Sequence, residues 1–90
     1  MKDLFFVDGG NDRVGIGTNT PDSQLEVEQS STGGGVAFKV DNDDTDKVAM
    51  SIEAANIDAD VLDITMDAVT TARGIDISAD ALTTGSALYI

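Results

Sequence analysis

The 90-residue chain contains no cysteine, no histidine and no tryptophan. Without cysteine it has neither a disulfide framework nor a thiolate metal site, and that absence is neutral as to compartment, since virion and bacterial surface proteins also do without. Without histidine it lacks the imidazole that supplies most metal ligands and acid–base groups, so any catalysis would fall to carboxylates, hydroxyls and five basic residues. Aromatic side chains are limited to Phe5, Phe6, Phe38 and Tyr89. A core would have to be assembled from small aliphatics, which favours a thin, repetitive structure over a compact one. Positive charge is scarce too: five Lys and Arg against 17 Asp and Glu give a net charge of −12. That balance opposes binding to nucleic-acid phosphate or anionic lipid and favours the solubility of a large assembly. The opening stretch has an apolar run of only Leu4 to Val7, too short for a signal-peptide core or a membrane span. A chain this short buries a modest fraction of its surface and commonly depends on cross-links, metals or oligomerisation.

What the chain does have is a period. Apolar doublets separated by one residue recur at Leu25/Val27, Phe38/Val40, Met50/Ile52, Leu62/Ile64, Ile75/Ile77 and Leu88/Ile90, and their second members advance by 13, 12, 12, 13 and 13 residues. The segments LDITMDAVTTARG and IDISADALTTGSA match in detail, keeping Asp63/Asp76, Ile64/Ile77, Asp67/Asp80, Ala68/Ala81, Thr70/Thr83 and Thr71/Thr84. A second apolar point follows five residues after the doublet at Ile57, Val69 and Leu82. Alternation within a doublet is the period of a strand with one buried face, so Glu26, Lys39, Ser51, Asp63 and Asp76 are expected to point outward. Turn formers separate the doublets: SSTGGG (Ser30 to Gly35), DNDDTD (Asp41 to Asp46), Asn56 to Asp60, TTARG and TTGS. Helix competes over VAMSIEAANIDADVLDITMDAV, where alanine and acidic residues raise helix propensity, but the doublets and Thr-Thr turns fit strands better. Units of this kind stack either on the next unit, giving a solenoid, or on the same unit of other chains, giving a fibre.

The stretch RVGIGTNTPDSQLEV, Arg13 to Val27, has the look of a phosphate-binding loop between two apolar strands. A dinucleotide fingerprint needs a third glycine three residues after the second, where this chain has Thr20, and no glycine run is followed by the Lys-Ser/Thr of a P-loop. Packing accounts for the glycines better: Val14 and Ile16 face inward while Gly15 and Gly17 let a neighbouring backbone approach. TPDSQ then reads as a short helical turn, with Thr20 as its cap, Pro21 in its first position and Asp22 at its positive end.

These residues carry a resemblance. FFVDGGNDRVGIGTNTPDSQLEV, Phe5 to Val27, resembles the segment (apolar)-x-V-D-x-x-x-x-R-V-G-I-G-T-x-x-P-x-x-x-L-x-V found in bacteriophage tail fibres and related virion fibre proteins, and GIDISADALTTGSALYI is more loosely similar to their shaft repeats. The resemblance implies a homotrimer of three parallel chains about one axis, in which short strands form a β-prism or triangular β-helix. Carried over, it makes Val14, Ile16, Leu25 and Val27 core positions, Gly15 and Gly17 close-approach positions, and Pro21 the turn. The same motif occurs in bacterial surface and prophage-derived proteins, so a surface adhesin is the alternative from a different class, and a polysaccharide-degrading tailspike segment a weaker one.

Two further features are tempting. DNDDTD offers several carboxylates to a calcium ion, yet an EF-hand loop counted from Asp41 would have Asp46 at its glycine position and Ile52 at its glutamate position; a solvated acidic turn fits better. Asp63/Asp76 and Asp67/Asp80 resemble a glycosidase pair, but their repetition at the unit period marks outward positions on successive rungs. Leu88 to Ile90 closes on a doublet without a capping turn, as expected of a segment of a longer fibre.

The chain is therefore expected to be an all-β, non-enzymatic structural protein. Short-strand repeats would build an elongated homotrimeric β-helix or β-prism fibre, with a short helical turn near Pro21. Residues 1–28 form the fibre-motif region and 29–90 the repeat shaft. The expected core and close-packing positions are Val14, Gly15, Ile16, Gly17, Leu25, Val27, Phe38, Val40, Met50, Ile52, Leu62, Ile64, Ile75, Ile77, Leu88 and Ile90. No cofactor, metal, nucleic acid or membrane insertion is expected. The expected partners are two further copies, other virion or tail proteins, and a host receptor engaged through regions outside this chain, with the fibre located on the virion.

Overall fold

A computed structural model of the protein describes residues 4–30, 32 and 34–90. The chain divides into two units, Met1–Ile52 and Glu53–Ile90.

The first unit holds the regular structure: strands β1 (Phe5–Asp8), β2 (Arg13–Ile16) and β3 (Leu25–Val27), ordered β1-β2-β3 in one sheet. β1 and β2 pair antiparallel, with Phe5 opposite Ile16 and Val7 opposite Val14. The hairpin loop between them is organised by Asp8, whose carboxylate accepts the amides of Gly10 (3.1 Å) and Asn11 (3.3 Å) and the Asn11 Nδ2 donor (2.9 Å). Asp12 takes the left-handed conformation, φ 56°, that returns the chain into β2; a short polar side chain tolerates that region better than most. The bond from Asn11, aided by the two amides and the Arg13 charge, holds the Asp8 carboxyl below its ordinary value.

β2 and β3 pair parallel, Val14 opposite Leu25 and Ile16 opposite Val27, with Val14 N donating to Gln24 O (2.8 Å) and Glu28 N to Ile16 O (2.9 Å). Parallel neighbours usually need a dozen or more connecting residues. Here residues 17–24 suffice, because Gly17 turns the chain at φ 81° as soon as β2 ends.

The helical turn expected near Pro21 does not form. Residues 22–24 are bent rather than helical, and the local donors go elsewhere: Asp22 N to the Glu26 carboxylate (2.8 Å), Ser23 Oγ to Leu25 O (3.1 Å). Nor does Thr20 cap such a turn: its Oγ1 pairs with Thr18 Oγ1 (3.4 Å), and its amide donates to the same Thr18 oxygen (3.2 Å). These local bonds, with Arg13 Nη1 on Pro21 O, fix the crossover in an irregular conformation over the sheet.

Among the described residues the secondary structure is all β, with no helix and no strand after Val27. The expected shaft strands are thus absent from the single chain: a three-residue strand needs a ladder partner, and none lies alongside. The backbone from residue 34 onward instead bends repeatedly, and a bend stands at the residue just before each doublet, Ala37, Ala49, Val61, Gly74 and Ala87. In the second unit two turns close, Val69 N to Met66 O and Leu82 N to Ala79 O, both 3.1 Å. The turn former Ser30 to Gly35 includes Ser31 and Gly33, which lie outside the described residues.

Candidate self-association surface

Directly paired strand residues share a face of the sheet and successive ones alternate. The register therefore puts Phe5, Val7, Val14, Ile16, Leu25 and Val27 on one face and Phe6, Asp8, Arg13, Gly15 and Glu26 on the other.

The second face is covered by the crossover. Arg13 Nη1 donates to Pro21 O (2.9 Å) and the Glu26 carboxylate accepts from Asp22 N. Thr18, 4% exposed, lies over Gly15, and Pro21 is buried with it. A Cβ on Gly15 would run into the Thr18 carbonyl oxygen, and one on Gly17 into that of Glu28. Both glycines do permit close backbone approach, as the sequence suggested, but the approaching backbone belongs to the same chain. Their role as contacts between chains is not needed to explain them.

The first face is wholly apolar and bare. Phe5, Val7 and Leu25 are 63, 62 and 61% exposed, and Val14, Ile16 and Val27 are half-buried within the sheet. Leaving six such side chains uncovered forgoes about 1.5–3 kcal/mol for each that could be fully buried. The apolar run Leu4 to Val7 reads in the sequence as a first core strand ending at the DGGND turn, and β1 brings to this face, beside the doublet positions, its Phe5 and Val7. Their i, i+2 spacing is the same doublet signal as the others, and it was readable once β1 was aligned with β2.

Downstream, every expected core position, Phe38, Val40, Met50, Ile52, Leu62, Ile64, Ile75, Ile77, Leu88 and Ile90, is exposed. The second apolar point responds to the local turn: Val69 and Leu82, whose amides close the two turns, are 45 and 48% exposed, while Ile57, in a unit without one, is 98% exposed. No apolar residue that could form a core is buried among the described residues, and the chain exposes 8485 Å² in total.

No family model, curated protein or solved structure matches this chain.

The acidic residues make local contacts. Asn42 and Asp44 each accept the amide two residues on (3.0 and 3.1 Å), Asp41 pairs with Lys39 (3.2 Å), and Asp46 with Lys47 (3.4 Å). The amide of Asp46 holds the Asp44 carboxyl below its ordinary value. Among the described residues no three carboxylates converge on one point, and no cleft encloses any of them. Asp76, one member of the suggested carboxylate pair, is bound to Arg73 Nη1 at 2.6 Å. No helix among the described residues is long and apolar enough to cross a membrane.

Proposed function

We propose that the chain is a non-enzymatic structural segment of a phage tail or head fibre, working as a homotrimeric shaft that supports host attachment. The observation that carries this reading is the uncovered apolar surface: a sheet face of six aliphatic and aromatic side chains, followed by doublets that stay exposed at 12- and 13-residue steps. Copies of the same chain supply a cover with the same spacing. The need for a partner comes from that exposure; the number three, the β-prism or β-helix form and the virion location come from the resemblance of Phe5 to Val27 to fibre proteins. Residues 1–28 are the fibre motif and 29–90 the shaft.

The action of such a shaft is mechanical. Strands completed between chains and an axial apolar core make a stiff spacer that holds a recognition element, in regions outside this chain, away from the particle. Several fibres on one particle then raise effective affinity by avidity. The shaft is joined at its base to other virion or tail proteins, and its net charge of −12 per copy keeps neighbouring fibres apart.

Light scattering on the purified chain, repeated after dilution and with a chelator, tests this. A mass of three chains that survives both is the expected result. A single-chain mass overturns the fibre reading, and dissociation by the chelator would assign a metal to the acidic turns.

A further inference from the structure

The second members of the doublets, Val27, Val40, Ile52, Ile64, Ile77 and Ile90, are not evenly spaced; the steps run 13, 12, 12, 13, 13. The backbone registers the difference. The two 13-residue units of the second half each contain a turn closed by a backbone–backbone bond, at Met66–Val69 and Ala79–Leu82, whereas in the unit between Ile52 and Ile64 the bend at residues 57–59 is held only by the Asn56 side chain, whose Nδ2 donates to Ala59 O (3.5 Å) and Asp60 O (3.1 Å). In these two longer units the extra residue is taken up as a turn, with the next doublet again preceded by a bend.

We infer that the order of shorter and longer units is a register key: it selects, as the partner of this surface, a second copy that is parallel and unshifted. The inference rests on the assembly reading above. In an evenly spaced row, a copy displaced by one unit still covers every doublet but the terminal ones, and little opposes the slip. Here a parallel displacement of one, two or three units sets at least one 12-residue unit against a 13-residue unit, and so does an antiparallel copy laid over the full row; an antiparallel copy displaced by one unit matches over four units but leaves the fifth unit and its doublet uncovered. At each such mismatch one chain has a residue too many. Either a bulge forms or every later apolar side chain turns to the wrong side, and a protruding turn meets a unit that has none. Only the unshifted parallel copy meets no mismatch along the whole row.

The native chain has no cysteine, so introduced thiols report which positions are neighbours. Ile64→Cys and Ile77→Cys chains, distinguishable by a mass tag, are mixed, assembled and oxidised mildly. Because a disulfide needs Cα atoms within roughly 7 Å, 64–64 and 77–77 links are expected to exceed 64–77 links by about tenfold or more. The same pair is then made in a chain with Gly34, Ala68 and Ala81 deleted, which turns all three longer units into 12-residue ones. The 64–77 link between the equivalent thiols is expected to rise about tenfold relative to the like-with-like links. An unchanged ratio in the equalised chain overturns the key, as does an assembled native-length mixture with no like-with-like preference. Should the deletions prevent assembly, lengthening each of the two 12-residue units by one alanine equalises the row in the other direction and reads the same ratio. A single-chain mass for the unmodified protein would instead mark failure of the assembly reading itself.

Discussion

Residues 5–28 and residues 36–90 carry the same apolar alternation, yet only the first stretch makes a sheet. In the first, β2 has a partner on each side, one delivered by the Gly9–Asp12 loop and one by the crossover of residues 17–24. The loops are themselves tied down, by Asp8 in one case and by Thr18, Arg13 and Glu26 in the other. In the second stretch each doublet is followed by turn formers that close on themselves and bring no neighbour alongside. The comparison teaches that alternation specifies which side of a strand is apolar, while pairing decides whether there is a strand at all; short strands are not stable without both. It also separates two needs: the sheet satisfies its backbone but leaves one face bare, and the downstream units leave both backbone and side chains to a partner.

The sharpest way to break this comparison is Ile64→Asp. If the doublets are covered only by other copies, the change places three carboxylates together, forfeits about 1.5–3 kcal/mol of burial per chain and abolishes the three-chain mass. Amide-exchange protection at Val14 and Glu28 is expected to persist, because the sheet needs no partner to make its ladder. Loss of that protection would mean the two stretches depend on each other.

Gly17→Val probes the other side. It demands φ 81° of a β-branched residue and drives its side chain into the Glu28 carbonyl, so the β2–β3 ladder is expected to lose about 3 kcal/mol or more, seen as fast exchange of the Val14 and Glu28 amides. Gly9→Ala, with nothing near its Cβ, is expected to change stability by less than about 0.5 kcal/mol. Next in size is Arg13→Met, which removes the bond to Pro21 O. A loss of about 1 kcal/mol is expected, confined to the sheet and visible as an earlier denaturation midpoint for its amides.

The smallest effect is that of pH. The Asp8 carboxyl is held below its ordinary value in the folded hairpin, so its contribution is complete above the unfolded carboxylate pKa near 4 and is lost as pH falls through the lower folded value. Exchange at Gly10 and Asn11, corrected for intrinsic rate, is expected to accelerate below about pH 4, and Asp8→Ala to remove that dependence. Asp44, lowered by the Asp46 amide, is expected to behave likewise within its own turn and to leave the sheet untouched.

Several features were legible without coordinates, and each has a local cause. Val14, Ile16, Leu25 and Val27 share one face because period-two alternation is a property of extended backbone. The failure of both phosphate motifs followed from residue identity alone. The doublet row and its uneven steps were countable, and the bends that precede the doublets keep the same steps. The residues around Pro21 have the right composition for a helix start, but the bonds that fix the crossover, Asp22 N to Glu26 and Arg13 to Pro21 O, are made with strand residues, which composition does not encode. That the backbone closing on Gly15 and Gly17 is that of Thr18 and Glu28 is not legible in the sequence, because it depends on how the chain turns after β2.

The sequence by itself determined the all-β character, the apolar side of each doublet, the acidic exterior and the register-bearing row of spacings, since these depend on residue type and on counting along one chain. Tertiary structure alone decided that β3 runs parallel to β2, that Thr18 and Pro21 close one face of the sheet, and that the opposite face, with Phe5 and Val7, is left open. Those outcomes depend on which groups of separate segments meet, and a hydrogen-bond ladder is specified by the geometry of two segments together, never by either one.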